Sequence, residues 1–282
     1  MVTSDRGALA RYFDAYAPDY LAKGYAATDD PAVYPVFRMR HDHILEMTAG
    51  LPPGNALDIG CGCWRMVADL AARGWRALGV DISPAMVREG AALLAREGVA
   101  ADRASVREGS LEEDPFPEKP FDLVVAAGVI DSQRDDGPFL DTVRDLLRSG
   151  GHLALTVRNA GCLPLLPERI ARRMLSVPLL SGAVRLSRRA GRALLGRPAP
   201  PPQGDSDRIL QRAHALGAIR RTLARHGFSV AREGAFHFHL LPYPLEILLP
   251  RLHRRLGTRL EPRHAAAPPS LASGRILLAR KR

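Results

Sequence analysis

No run of apolar residues in this sequence approaches the roughly 20 that a helix needs to cross a bilayer. The opening residues, MVTSDRGALARYFD, lack the basic and then apolar order of a secretory signal. Cysteine is scarce: of the three, Cys61 and Cys63 stand in one glycine-rich turn, so a disulfide framework is not expected. These absences predict a cytoplasmic protein that folds without disulfides.

Lysine is almost missing, since it occurs only at positions 23, 119 and 281, and the other basic residues are arginines. The formal net charge is +10, and the stretch 169–197 holds eight arginines and no acidic residue. This bias is compatible with a GC-rich coding sequence or with an anionic partner. The same stretch has no aromatic residue for stacking on bases, so nucleic acid is not the expected partner.

After a Pro-Pro-Gly break at 52–54, short apolar runs alternate with helical patterns. Strands are predicted at 56–59, 76–80, 104–107, 121–127 and 151–157, and helices at 65–73, 84–97 and 137–147. A helix predicted at 207–226 precedes two late strands, 228–232 and 275–279. The alternation predicts an α/β fold in a single domain, 1–282: a doubly wound, mostly parallel sheet of seven strands with helices on both faces.

Two segments are expected to stand outside this sheet. Residues 1–50 have a helical pattern over 8–49 and form an N-terminal cover. Residues 161–204 form an insertion with two basic amphipathic stretches, and EILLPRLHRRL at 246–256 has the same character, with a proline that should kink it. The insertion is interpreted as a lid over a hydrophobic substrate, as a segment on an anionic membrane surface, or as ordinary covering helices.

A glycine turn follows the first strand. The strand ends at Asp58, Gly60 and Gly62 follow, and the next helix begins near Arg65. Glycines there let the backbone pass close to a ligand, and Asp81 at the end of the second strand can accept both hydroxyls of a ribose. A nicotinamide fingerprint requires glycine in place of Arg65, whereas the ammonium group of S-adenosylmethionine tolerates a carboxylate at Asp58. The turn therefore favours the sulfonium cofactor.

Four stretches, ALDIGCG, GVDISPAMV, REGSLEEDPFPEKPFDLVVAAGVID and LLRSGGHLALTVRN, occur in the order and spacing of one family. The chain resembles the class I S-adenosylmethionine-dependent methyltransferases, particularly the small-molecule branch that includes quinone-biosynthesis enzymes. YFDAYAPDY looks like the segment that closes over the cofactor, and RHGFSV and RILLARKR look like the last two strands. The resemblance covers nearly the whole chain except 161–204 and 234–273.

The resemblance implies S-adenosylmethionine as the cofactor and a role for each matching residue. Gly60 to Gly62 would line the methionine portion, Asp81 would hold the ribose, and Ile82 would lie against adenine. Two positions depart from the family: Trp64 replaces a glycine, and Ser110 replaces an aspartate near the adenine amino group. The ring of Trp64 is expected to narrow the pocket or to pack against the N-terminal cover. The full set expected at the cofactor is Tyr20, Asp58, Gly60, Cys61, Gly62, Trp64, Asp81, Ile82, Ser110, Leu111, Ala127 and Gly128.

Three residues are candidates for acid–base chemistry or for contact with the substrate. After the fourth strand, where many relatives carry histidine, this chain has Asp131, a possible base, substrate contact or helix cap. His237 and His239 alternate in an extended segment and so share one face, in a stretch that approaches the substrate in the family. No third ligand with supporting spacing accompanies them, so no metal is expected. His41 and His43 are interpreted as a solvated helix face.

Nucleic-acid methyltransferases of this fold usually carry an Asn/Asp-Pro-Pro-aromatic motif after the fourth strand, and AAGVIDS has none. The resemblance therefore implies methyl transfer to oxygen, nitrogen or carbon of a hydrophobic small molecule that is quinone-, polyketide- or lipid-like. The alternative is a non-catalytic S-adenosylmethionine-binding protein, or a membrane-associated protein with a degenerate site. The expected location is the cytoplasm, with peripheral attachment to the inner face of the membrane as a second option.

Overall fold

The computed structural model describes residues 6–24, 33–62, 64–111, 116, 118–175 and 211–282. Its seven strands form one sheet in the order β3-β2-β1-β4-β5-β7-β6, in which β7 is antiparallel to both of its neighbours. The strands are β1 Asn55–Ile59, β2 Arg76–Asp81, β3 Ala104–Glu108, β4 Phe121–Ala127, β5 Leu147–Arg158, β6 Phe228–Phe238 and β7 Ala272–Lys281. The predicted doubly wound, mostly parallel sheet of seven strands is confirmed.

Helices cover both faces of this sheet. They are α1 Arg6–Gly24, α2 Val36–Thr48, α3 Arg65–Ala72, α4 Pro84–Arg96, α5 Asp136–Leu146, α6 Leu166–Leu175, α7 Leu216–Arg225, α8 Leu245–Leu248 and α9 Pro250–Thr258. Successive residues of a strand point to opposite faces, so β4 supplies Leu123 and Val125 to one core cluster and Val124 and Ala126 to another. Burial on both faces explains why the strands read as continuous apolar runs.

The two central strands, β1 and β4, position the site. β1 lies between β2 and β4, and Ile59 is in register with Val80 on one side and Ala126 on the other. The strand order reverses at this pair, which is where ligands bind in open α/β sheets, beyond the carboxyl ends of the strands. The backbone N–H of Gly60 donates to the carbonyl of Val80 at 2.8 Å, and so the glycine turn stays against the end of β2.

The helix predicted at 207–226 begins later than expected, so the first half of that prediction is wrong. Residues 211–215 are not helical, and the helix predicted at 207–226 begins only at Leu216, with 207–210 outside the described residues. The backbone N–H of His214 donates to the carbonyl of Arg158 at 2.8 Å, and its ring lies between Asp131 and Asp136. Pairing with β5 and with two carboxylates therefore overrides the helical pattern of the sequence.

Other boundaries differ in ways that matter for the site. The helical cover predicted over 8–49 is two helices, α1 and α2, with 25–32 outside the described residues. The proline of 246–256 is the first residue of α9, so the expected break there is confirmed. The sixth strand was predicted to end at 232 but continues through Phe238, which places His237 inside β6.

The insertion predicted at 161–204 is described only in part. Its first portion contains α6, whereas residues 176–204 lie outside the described residues. None of the helices in the described ranges is both long enough and apolar enough to cross a bilayer. The interpretation of the insertion as a lid or as a membrane-surface segment stays a prediction.

Candidate functional site

A cavity of about 610 Å³ lies at the carboxyl edge of β1, β2 and β4, bounded on its other side by α1 and α2. Nine of the residues expected at the cofactor line it: Tyr20, Gly60, Gly62, Asp81, Ile82, Ser110, Leu111, Ala127 and Gly128. Three others, Asp58, Cys61 and Trp64, are buried and do not line it. The volume falls within the range of pockets that hold small-molecule ligands.

Asp81 is fixed in the wall of this cavity by two backbone donors. Its Oδ2 accepts the N–H of Gly62 at 2.8 Å, and its Oδ1 accepts the N–H of Ser83 at 2.9 Å. Burial raises the pKa of this carboxyl, although these N–H donors oppose the shift. Each carboxylate oxygen can accept a second hydrogen bond, so the group stays capable of receiving two ribose hydroxyls.

The glycine turn is closed from above by α1. Gly60 and Gly62 have φ values of 65° and 54°, in the left-handed region that glycine adopts without strain. A Cβ atom at Gly62 would lie 3.1 Å from Cζ of Tyr20, and one at Gly60 would lie 2.9 Å from Cγ2 of Val129. The absence of a side chain at Gly62 therefore lets α1 approach the turn, and the absence of one at Gly60 lets the residues after β4 approach it.

The carboxylate of Asp14 anchors α1 over the cavity through two hydrogen bonds. Asp14 accepts the hydroxyl of Ser83 at 2.6 Å and the N–H of Ala85 at 3.0 Å, and the Ser83 hydrogen bond lowers the pKa of this carboxyl. The anchor holds α1 against the N-terminus of α4. The aromatic face of α1 then lines the cavity with Tyr12, Phe13, Tyr16 and Tyr20. The part of the sequence expected to cover the cofactor thus covers this cavity.

Arg40 of α2 is a cavity residue that sequence reasoning missed. Its Nη1 lies 2.8 Å from where a Cβ of Gly128 would stand, and its guanidinium lies 5.2 Å from the centre of the Phe37 ring. Asp58 is buried nearby, where desolvation raises its pKa to about 8 although the positive charge of Arg40 opposes the shift. No local spacing in the sequence links α2 to the glycine turn.

The buried Asp58 predicts a pH dependence of stability. Because its folded pKa of about 8 lies above the usual value of 3.8, the folded protein holds a proton between these values that the unfolded chain releases. The free energy of unfolding should therefore fall from pH 5 to pH 8, with up to about 1.4 kcal/mol per pH unit from this group. In urea unfolding at several pH values, Asp58→Asn should show a shallower fall than the wild type, and parallel curves would contradict the prediction.

Trp64 adopts an unusual backbone conformation. It precedes α3 with φ of 87°, in the region that non-glycine residues rarely occupy, and its side chain is only 3% exposed. The ring belongs to the core cluster that includes Ala17 of α1 and does not line the cavity. Within the described residues, its indole N–H has no hydrogen-bond partner. The ring therefore does not form part of the cavity wall, and its packing against the N-terminal cover stays a prediction.

Replacing Trp64 should change stability more than cofactor affinity. Trp64→Gly relieves roughly 1–2 kcal/mol of backbone strain but removes a buried indole worth about 3–5 kcal/mol, so a net loss near 2 kcal/mol is expected in urea unfolding. Trp64→Phe keeps most of the apolar volume and removes the unpaired N–H, so it should lose less. A cofactor dissociation constant changed more than about tenfold, which corresponds to 1.4 kcal/mol, would instead place the ring at the site.

Asp131 lies beside the cavity and does not line it. Its carboxylate accepts the N–H of Arg158 at 3.1 Å and lies 3.3 Å from Nδ1 of His214. Although burial favours the neutral ring, hydrogen bonds to Asp131 and Asp136 raise the pKa of His214 to about 9. The capping role considered for Asp131 is wrong, because Asp135 caps α5. A catalytic role for Asp131 stays a prediction.

The four histidines named in the sequence analysis form two pairs. His41 and His43 are buried on α2, so the expected solvated face is wrong: His41 Nε2 lies 2.7 Å from Asp69, and His43 Nε2 lies 2.7 Å from Glu261. The ring centres of His237 and His239 are 4.3 Å apart, as expected for one face, but neither residue lines the cavity. Their contact with substrate stays a prediction.

Comparisons with known proteins agree with this geometry. Residues 57–155 match a family model described as a methyltransferase domain. Nocamycin O-methyltransferase of Saccharothrix syringae is 33% identical over 141 residues, which cover 49% of this chain and 48% of that protein. The ubiquinone biosynthesis O-methyltransferase of Caulobacter vibrioides is 32% identical over 104 residues, covering 36% and 40%. The matches thus span less than half the length of these relatives.

A solved structure matches over a much longer range. Magnesium protoporphyrin IX methyltransferase from Synechocystis PCC 6803, with bound S-adenosylhomocysteine, superposes with a TM-score of 0.57 at 18% identity. The superposition covers 99% of this chain and 100% of that one, which shows a shared fold. The family model covers the glycine turn, Asp81 and the strands whose carboxyl ends form the cavity. Residues 57–155 are therefore similar in sequence to methyltransferase domains, and the whole chain has the fold of a solved methyltransferase.

Proposed function

We propose that the protein transfers the methyl group of S-adenosylmethionine to an oxygen atom of a hydrophobic small molecule. The observation that carries the proposal is the cavity itself. Its wall combines Asp81 and the glycine turn with a large aromatic surface from the covering helices. Polar groups suited to the cofactor and an apolar surface suited to an acceptor therefore share one cavity.

The residues present fit the cofactor. Asp81 offers carboxylate oxygens to the ribose, and the glycine turn leaves backbone room for the methionine portion. Arg40 adds a guanidinium on the wall, near Gly128, which can pair with the carboxylate of that portion. When bound, S-adenosylmethionine supplies an electrophilic methyl group. The chain's own contribution is to align the acceptor in line with that group and to exclude water.

The acceptor side favours an apolar ring compound. Tyr12, Phe13, Tyr16, Phe37 and Phe139 line the cavity together with several aliphatic residues. Aromatic side chains bind flat apolar molecules through large contact areas and preferred ring geometries. Both curated relatives are named as O-methyltransferases, one of ubiquinone biosynthesis and one of nocamycin, which supports oxygen as the acceptor atom. The acceptor class proposed is thus quinone- or polyketide-like.

The proposal is tested by binding and by product mass. Calorimetric titration with S-adenosylmethionine and S-adenosylhomocysteine should give a dissociation constant for each. Incubation with a metabolite extract and trideuteromethyl-labelled cofactor should then give an apolar product that carries the labelled methyl on oxygen. Absence of binding to either compound would overturn the enzyme proposal. Binding without a labelled product from any extract would favour the non-catalytic alternative.

An exposed apolar surface supports a second role at membranes. Ile247, Leu248 and Leu249 are 54%, 50% and 46% exposed, and α9 adds arginines beside them. The N–H of Tyr243 donates to the carbonyl of Pro164 at 3.2 Å, so this segment adjoins the residues leading into α6. Basic residues around apolar side chains are typical of segments that bind anionic lipid surfaces. We infer that the protein binds such a surface peripherally.

The lipid-surface proposal predicts a clear difference in vesicle flotation. The double substitution Leu248→Ser and Leu249→Ser removes apolar side chains whose burial is worth about 1.5–3 kcal/mol each, so binding to anionic vesicles should fall at least about tenfold. Neutral vesicles provide the control, because the arginines gain nothing from them. Equal flotation of the variant and the wild type would contradict the proposal.

A further inference from the structure

Three histidines from two separate segments converge at the end of β6. His237 lies in β6, His239 follows two residues later, and His253 lies in the first turns of α9. The ring centres of His239 and His253 are 4.9 Å apart, and those of His237 and His253 are 6.0 Å apart. One ligand nitrogen from each ring lies within 4.8 Å of the other two. His253 is the third ligand that spacing in the sequence did not reveal.

The tautomer of His239 follows from its partner. Nδ1 of His239 lies 2.5 Å from Oε2 of Glu246, and a carboxylate can only accept, so Nδ1 carries the proton. Nε2 then presents its lone pair towards the other two rings. A carboxylate on the far nitrogen is the usual second partner of a metal-binding histidine, since it fixes the ring and makes the ligand nitrogen more basic.

His237 is held in a comparable way. Its Nδ1 lies 2.8 Å from the hydroxyl of Ser273, which also lies 3.4 Å from the carbonyl of His237. If the hydroxyl donates to that carbonyl, it accepts from Nδ1, and Nε2 of His237 is left with a lone pair. The backbone supports this placement: φ of His237 is 59°, and its N–H donates to Oε1 of Glu261 at 2.9 Å.

The buried nitrogens of the cluster lack partners. Among the described residues, Nε2 of His239 and Nδ1 of His253 have no hydrogen-bond partner although both are buried. Leaving a buried polar atom unsatisfied costs about 1–3 kcal/mol, so two such atoms at one point require an explanation. A cation between the rings satisfies both atoms at once. In the other group of this kind among the described residues, His43, Glu46 and His264, a single nitrogen, Nδ1 of His264, is buried without a partner, and His43 pairs with Glu261.

We propose that His237, His239 and His253 bind a divalent transition-metal ion of the zinc class. Three neutral imidazoles suit zinc, copper, nickel or iron, whereas magnesium and calcium require oxygen ligands. Three protein ligands leave the fourth tetrahedral position for water or a substrate oxygen, as in catalytic zinc sites. His237 is the partly exposed member, so the site is accessible from its side. The proposal rests on the histidine geometry and does not depend on the proposed methyl transfer.

The test uses the full chain without a polyhistidine tag, stripped with a chelator and titrated with Co²⁺ and Zn²⁺. One equivalent of Co²⁺ should give the visible absorption of a four- or five-coordinate site, and Zn²⁺ should displace it. His253→Ala should weaken the binding of both ions by more than about a hundredfold, and Glu246→Gln by about 10–100-fold, because Glu246 acts through His239. His152→Gln, a half-buried histidine of β5 outside the cluster, serves as the matched control and should bind like the wild type.

The outcomes separate a metal site from an ordinary cluster of rings. Absence of the Co²⁺ spectrum in the wild type, or wild-type affinity in His253→Ala, would overturn the proposal. If His253→Ala fails to fold, X-ray absorption of the wild-type Co²⁺ complex decides, since nitrogen ligands from imidazole are expected and thiolate ligands would contradict the site. Cofactor affinity measured on the stripped protein shows separately whether the methyltransferase proposal holds.

Discussion

Asp81→Asn is expected to weaken the binding of S-adenosylmethionine by about a hundredfold or more. The substitution keeps the shape of the side chain but removes the charge and one of two acceptor oxygens. Two hydrogen bonds to a charged group are worth roughly 1.5–3 kcal/mol each, and 1.4 kcal/mol corresponds to a factor of ten. The new amide N–H also faces one of the backbone donors, Gly62 or Ser83, that Asp81 now satisfies. Calorimetric titration with the cofactor measures the change.

A matched substitution at the opposite edge of the sheet isolates the effect. Asp122 also accepts a backbone N–H, that of Asn55 at 2.8 Å, and it pairs with Arg148, but it does not line the cavity. Asp122→Asn should lower stability and leave the dissociation constant unchanged. A dissociation constant for Asp81→Asn within threefold of the wild type would show that Asp81 does not hold the ribose.

Glu261→Ala is expected to lower the free energy of unfolding by about 3–5 kcal/mol, because the groups that pair with this buried carboxylate lose their partner at about 1–3 kcal/mol each. Glu261 is 2% exposed, and its carboxylate joins parts of the chain that are far apart in sequence. Oε1 accepts the hydroxyl of Tyr34 at 2.5 Å and the N–H of His237, and Oε2 lies 2.7 Å from Nε2 of His43. Burial and the charge of Glu261 raise the pKa of Tyr34, which keeps its hydroxyl protonated as a donor.

Glu261→Gln provides the comparison. A glutamine keeps the size of the side chain, an acceptor oxygen for Tyr34 and His237, and an amide that can donate to a neutral His43. It should therefore lose less stability in urea unfolding than the alanine variant. An alanine variant within 1 kcal/mol of the wild type, on the order of a surface substitution, would show that the carboxylate is not needed to join α2 to β6.

The sheet could be predicted from the sequence because its information is local. Apolar runs of the right length alternate with helical patterns, and the carboxyl ends of parallel strands meet at one edge. Gly60, Gly62 and Asp81 were predictable for the same reason, since each stands next to a strand end. The helix predicted at 207–226 was too long because such local patterns do not report distant contacts. His214, within that range, is held by carboxylates more than 70 positions earlier in the chain.

The remaining parts of the site depend on contacts between distant segments. Arg40 reaches the cavity from α2, and Glu261 meets His43 across 218 positions, with no spacing in the sequence to signal either. No spacing in the sequence signals His253 either, because its ring contacts that of His239 only where α9 packs on the end of β6. Trp64 was predictable as a departure from the family, but the burial of its ring in the core was not.

The reversed direction of β7 has a consequence for the length of the acceptor. Because β7 runs antiparallel between β5 and β6, β6 runs parallel to β4 and ends at the same edge. Three strand spacings separate β4 from β6, a width of about 14 Å across the sheet. A molecule that contacts both the methyl donor beside β4 and the histidines at the end of β6 must span at least this width. Only an acceptor of at least this length could reach both groups.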